Sequence, residues 1–169
     1  MTAPRSRPAH RGGASNGLSF AFVALASFGA VGAALVSQHA FGMQPCPWCV
    51  LQRLIFIAIG VFALLGLAWR SAAGSRVAAT FALLLAIAGV ATAFWHYFVG
   101  AKSASCNLTL ADRIVGATRL DQLLPDVFEA RATCADAAVD LFGVPYPMWA
   151  AFVFVVCAVA LVRILRASV

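Results

Sequence analysis

The run Pro45-Cys46-Pro47-Trp48-Cys49-Val50-Leu51-Gln52-Arg53 joins a short connection to a long apolar stretch and sets two cysteines and an arginine at its start. Proline suits the first position of a helix, because its ring fixes φ at a helical value and its missing N–H has no intrahelical partner there. Cys46 is then the expected N-cap, and the helix runs on through Leu54-Ile55-Phe56-Ile57 to Trp69. At about 100° per residue, Cys49 lies about 300° and Arg53 about 340° round from Cys46, so the three share an arc of roughly 60°. A thiolate at a helix N-terminus is stabilised by unpaired N–H groups and the positive end of the helix dipole, and Arg53 adds a permanent cation one turn on. A charge on a lipid-embedded turn costs roughly 3 kcal/mol, which a purely structural cysteine pair would not require. The pair is therefore read as redox-active.

The rest of the chain frames this stretch. Of 169 residues, 63% are hydrophobic and 11% charged, with a mean hydropathy of +0.91. That is too apolar for a soluble domain and marks an integral membrane protein. Four apolar runs, at about 17–36, 47–69, 77–99 and 147–164, have the length to cross a bilayer. The first is longer than the roughly 7–15 apolar residues of a secretory leader, so it is expected to remain as a span. Small residues at Ala26, Ala30 and Ala34, with Gly29 and Ala33 beside them, would let another helix approach it closely. Residues 1–16, rich in Arg, Pro, Gly, Ala and Ser, read as a disordered basic tail ahead of a single membrane domain over 17–169. The fold class is an all-α membrane protein, a bundle of four transmembrane helices.

The formal net charge of +6 is a matter of topology and not of nucleic-acid binding. All six acidic residues fall between the third and fourth runs. The basic residues cluster mainly at the other ends of the spans: Arg5, Arg7 and Arg11, then Arg70 and Arg76, then Arg163 and Arg166. Arginine-rich ends place both termini and the Arg70–Arg76 turn in the cytoplasm. The connection before Cys46 and the long loop at about 100–146 then face outward, which in a bacterium is the oxidising periplasm. Trp48, Trp95, Tyr97, Tyr146 and Trp149 are expected to form an aromatic belt at that surface, with Trp69 marking the other.

Cysteine usage agrees with this orientation, since Cys46, Cys49, Cys106 and Cys134 all lie on the outer side. Cys157 sits mid-span and reads as a small buried hydrophobe. Within the outer loop, Leu120, Leu123, Leu124, Val127 and Phe128 follow a helical repeat, predicting a short interfacial helix that Pro125 must open or kink. Four outward cysteines allow three pairings. No metal site is expected of them, because Cys106 and Cys134 are 28 positions apart, unlike zinc-ligand spacing. Thiol–disulfide exchange between a loop pair and an anchored pair would instead pass oxidising equivalents along the chain. With no nucleotide, haem or flavin signature present, the two-electron acceptor would be lipid-soluble and reach the helix mouth from the bilayer.

These features together resemble the DsbB family of bacterial inner-membrane disulfide oxidoreductases. The resemblance spans nearly the whole chain and rests on four spans, Cys46 and Cys49 opening the second, Arg53 four residues on, Cys106 and Cys134 in the loop, and Pro147-Met148-Trp149 opening the last span. It implies a quinone-dependent enzyme that reoxidises a DsbA-like periplasmic thiol oxidase and draws on the membrane quinone pool, ubiquinone or menaquinone. It further implies that the partner's thiolate attacks Cys106, that the released Cys134 attacks Cys46, and that Cys49 is left as a thiolate in charge-transfer contact with quinone, supported by Arg53. His96 matches a histidine that the family places near the quinone. Gln52 stands where well-known members carry a glutamate, and the Pro47-Trp48 insert would tune the redox potential. The vitamin K epoxide reductase family resembles the reverse cysteine order, with the loop pair first. A non-catalytic scaffold braced by inert disulfides is the other alternative.

Overall fold

The computed structural model describes residues 12–69, 71–100, 110–137 and 139–167. Four long helices dominate it: α1 (Gly12–Phe41), α2 (Pro47–Ala68), α3 (Ala72–Phe98) and, after the loop, α7 (Tyr146–Ala167). Each is long and apolar enough to cross a membrane. The helices close into a ring in which α1 and α3 each pack against both α2 and α7. Of the most apolar stretch of α2, 56% is buried, against 28%, 33% and 28% in α1, α3 and α7, so α2 is the most enclosed element and the others face lipid.

The body of the bundle is held by shape. Phe56 of α2 and Phe154 of α7 stack face to face with ring centroids 3.8 Å apart. Rings are seated where a neighbouring helix has no side chain: a Cβ on Gly66 would stand 2.5 Å from the Phe20 ring, and one on Gly89 would be closer still to Phe154. Fully buried Ala79, Ala82, Ala86 and Ala93 form a small-residue stripe on α3 that brings its neighbours close. On α1 the expected stripe is borne out in part: Ala26 and Ala30 pack against the core and Ala34 is half-buried. Gly29 and Ala33 face outward, and α1 also packs through Phe20, Val23, Ala24, Ser27 and Val31. Cys157 is fully buried, as expected, with Ser27 Oγ 3.9 Å from its sulfur.

Helix ends follow local chemistry more closely than hydropathy. Helix α1 begins at Gly12, five residues before the apolar run, and the rest of the expected tail falls outside the described residues. Ser71 caps α3 by accepting from the Gly74 N–H at 3.1 Å, so α3 starts at Ala72 and absorbs most of the expected Arg70–Arg76 turn. Gly42, at φ +67°, turns the chain out of α1 toward Cys46.

The described part of the loop is structured and differs from the single helix expected. Helix α4 (Leu110–Thr118) is followed by two single turns, α5 (Leu120–Leu123) and α6 (Pro125–Phe128), broken at Leu124 where Pro125 opens a new turn. Phe128 is buried and Leu120 and Val127 pack against the core, but Leu123 and Leu124 are exposed, so the five do not share one face. A two-residue hairpin, β1 (Asp140–Leu141) paired antiparallel with β2 (Val144–Pro145), turns through Phe142 and Gly143 at positive φ and leads into α7.

Candidate active site

The site is built on the first turn of α2. Cys46 has the extended backbone of an N-cap, its sulfur accepts the Cys49 N–H at 3.4 Å, and Pro47 occupies the first helical position. This geometry brings the Cys46 and Cys49 sulfurs to 3.0 Å of each other. Cys46 is fully buried, whereas Cys49 is partly open. His96, in the last turn of α3, points its Nε2 at the Cys46 sulfur from 3.4 Å. It is 1% exposed, which rules out a solvated interfacial histidine. Trp48 leaves the expected aromatic belt: it is buried over the site beside His96 and Gly100, while Trp95, Tyr97 and Trp149 remain exposed.

The loop comes down onto this turn and delivers Cys134. Two main-chain donors, the N–H groups of Arg131 and Ala132, converge on the Pro45 carbonyl at 3.0 and 3.3 Å, one residue before Cys46. The following turn is fixed by Thr133, whose Oγ accepts the Asp136 N–H at 3.2 Å and donates to the Asp136 carboxylate at 2.6 Å. Cys134 is thereby buried within interaction range of Cys46 and the Trp48 main chain. Those two neighbours hold the Cys134 thiol below the ordinary range, Cys46 the more strongly. Cys46 is correspondingly pushed up, because its proton is shared with Cys134 first and Cys49 second, and burial penalises its thiolate. Three sulfurs therefore stand in sequence, with Cys46 in the middle. Cys106 lies outside the described residues.

Arg53 occupies the expected face but spends its donors differently. Its Nη1 donates to Gln38 Oε1 at 2.7 Å and to the Val127 carbonyl at 3.0 Å, and its Nη2 reaches the Ala34 carbonyl at 3.4 Å. Gln38 in turn donates through Nε2 to the Asp126 carbonyl at 3.2 Å. The two side chains are 5% and 3% exposed, so they form a buried clamp joining α1, α2 and the carbonyl end of α6. Arg53 stays within electrostatic reach of Cys49 while holding the loop in place. Gln38 is the residue that sequence reasoning missed. A polar side chain close to the end of an otherwise apolar run was the available signal.

Three buried nitrogens at this end of the bundle have no partner among the described residues: His96 Nδ1, Arg53 Nε and Gln52 Nε2. Buried donors without acceptors cost free energy unless a ligand supplies the acceptor. Carbonyl oxygens are acceptors of the kind required, so the donor set fits a quinone headgroup.

Comparison with known proteins identifies relatives over most of the chain. The family model described as disulfide bond formation protein DsbB matches residues 16–164. The chain is similar to the disulfide bond formation protein B of Ralstonia nicotianae, at 37% identity over 144 residues covering 85% of this chain and 89% of that one. It is likewise similar to the proteins of the same name from Herminiimonas arsenicoxydans, at 34% over 142 residues covering 83% and 89%, and Cupriavidus necator, at 37% over 131 residues covering 77% and 80%.

Proposed function

The chain belongs to the DsbB family and is a multi-pass bacterial membrane disulfide oxidoreductase, and on that premise we propose that it reoxidises a DsbA-like periplasmic thiol oxidase and passes the electrons to a membrane quinone. The observation that carries this reading is the position of Cys46, whose sulfur lies 3.0 Å from that of the anchored Cys49 and within interaction range of the loop's Cys134. The arginine distribution supports cytoplasmic termini and a periplasmic side for the four cysteines.

In the proposed sequence the partner's thiolate attacks Cys106 of a Cys106–Cys134 disulfide, forming the intermolecular bond and releasing Cys134 as a thiolate. The Trp48 N–H favours that thiolate. With Cys46 and Cys49 joined as a disulfide, Cys134 attacks Cys46, and the electron pair of the broken bond leaves on Cys49. The partner's second thiol then resolves the bond to Cys106, completing the partner's disulfide. His96 Nε2 faces Cys46 and is placed to take or return its proton. Cys49 is the electron exit, at the open edge of the helix mouth. His96 Nδ1, Arg53 Nε and Gln52 Nε2 would hold the quinone carbonyls, and the quinone would supply a two-electron, two-proton acceptor. Arg53 and Gln38 position the loop so that Cys134 stays in line with Cys46.

The test is turnover of the purified protein with reduced thiol oxidase and quinone under anaerobic conditions. Quinone should be consumed as the partner is oxidised, and Cys49→Ser should reduce quinone consumption to background. Unchanged turnover in that variant would end this reading.

A further inference from the structure

The same first turn brings together three atoms of the kind that bind soft cations. Cys46 Sγ, Cys49 Sγ and His96 Nε2 lie within 4.8 Å of one another. In a tetrahedral zinc site, with bonds of about 2.3 Å to sulfur and 2.0–2.1 Å to nitrogen, neighbouring ligand atoms stand about 3.5–3.8 Å apart. The Cys46–His96 separation of 3.4 Å is already close to that spacing. The two sulfurs, at 3.0 Å, must part by less than about 1 Å, and Cys49 must settle at a similar spacing from His96, from which it is at most 4.8 Å away. Cys49, which is partly open, is free to make that movement and gives an ion its way in. Cys46 and His96 are buried and held on separate helices, so two of the three ligands are preorganised. Thiolate and imidazole together select zinc and other soft cations over magnesium or calcium.

We propose that the dithiol form of this turn is a zinc-binding site, and that the disulfide form is not. Binding exchanges two thiol protons for one Zn²⁺, with neutral His96 Nε2 as third ligand and a fourth position open to solvent. The two thiolates cancel the charge of the ion, so it adds none beside Arg53. A bound ion engages the sulfur electron pairs that the electron exit requires, making zinc a reversible block that only the reduced enzyme accepts. Capture needs these three side chains alone and does not depend on the quinone or the partner.

The experiment uses the full-length protein in detergent, with Cys106→Ala and Cys134→Ala introduced so that the loop pair cannot contribute ligands. Zn²⁺ is titrated into the reduced and the oxidised forms under anaerobic conditions, with bound metal counted by mass spectrometry and proton release followed in weak buffer. Co²⁺ replaces Zn²⁺ in a parallel titration to read thiolate-to-metal absorption. The reduced form should bind one ion and release about two protons, the expected yield of two bound thiolates, and the oxidised form should bind none. His96→Ala should weaken binding at least tenfold, and Cys49→Ser, a near-isosteric change at a partly open position, should abolish the cobalt–thiolate band. Equal binding by both redox forms would overturn the proposal, as would binding unchanged in Cys49→Ser.

Discussion

The body of the bundle and its outer mouth are held together by different physics. In the body, rings of Phe20 and Phe154 sit in the hollows of Gly66 and Gly89, and Ser27 of α1 approaches Cys157 of α7 no closer than 3.9 Å. The mouth holds Gln38, Gln52, Arg53 and His96, which are four of the five buried polar or charged side chains among the described residues. Shape alone fixes the helices where lipid surrounds them. Directional bonds take over where the loop must be brought to a defined sulfur. Polar groups are costly in this setting, and the chain confines them to the end where cysteine chemistry occurs.

The sharpest way to break this division is at the clamp. Replacing Gln38 with Leu removes a bond to the Arg53 cation and another to the Asp126 carbonyl. Hydrogen bonds to charged groups contribute about 1.5–3 kcal/mol, so loop docking should weaken roughly ten- to hundredfold. Quantitative trapping should then show less Cys134–Cys46 disulfide, with the Cys46–Cys49 bond still forming. Equal loss of both would make Gln38 a folding residue. In the body, Gly89→Ala forces a methyl against the Phe154 ring and should cost about 1–3 kcal/mol, the usual penalty of overpacking. It should lower the thermal unfolding temperature and leave turnover per folded molecule intact. Altered turnover would show that body and mouth are coupled.

A smaller effect is expected in the pH dependence of the loop cysteine. Its thiol is held below the ordinary range mainly by the Cys46 hydrogen bond, so the thiolate persists as pH falls until that lowered value is passed. Alkylation of Cys134 in a Cys106→Ala background should therefore keep its rate to lower pH than a free cysteine does. Cys46→Ala should move the midpoint up, and the Trp48 N–H bond should keep it from returning fully. A midpoint that does not move would mean that Cys46 donates no proton there.

Much of this was legible in the residues. Apolar runs of sufficient length announced the four spans, and Pro47 after Cys46 announced the N-cap, because both signals are local. Helical spacing put Cys46, Cys49 and Arg53 on one arc. The partners of Arg53 were not legible, since Ala34, Gln38 and Val127 come from other parts of the chain and two of them contribute only main-chain oxygens. The loop helix was misjudged for a related reason. Leu123 and Leu124 keep the apolar repeat, but Pro125 removes an N–H and restarts the turn, and backbone chemistry outweighs periodicity over so short a segment. Trp48 was read as an exposed belt residue by its type, whereas the chain just past α3, at Gly100, packs beside it and encloses it.

The Pro45 carbonyl has a consequence for how the loop can change. It receives both the Arg131 and the Ala132 N–H, so the bolt that brings Cys134 to Cys46 is main chain on both sides. Side chains along the loop can be exchanged without touching it, provided neither donor becomes proline. The outer surface of the loop is thereby free to diversify in sequence while its seat one residue before Cys46 is kept.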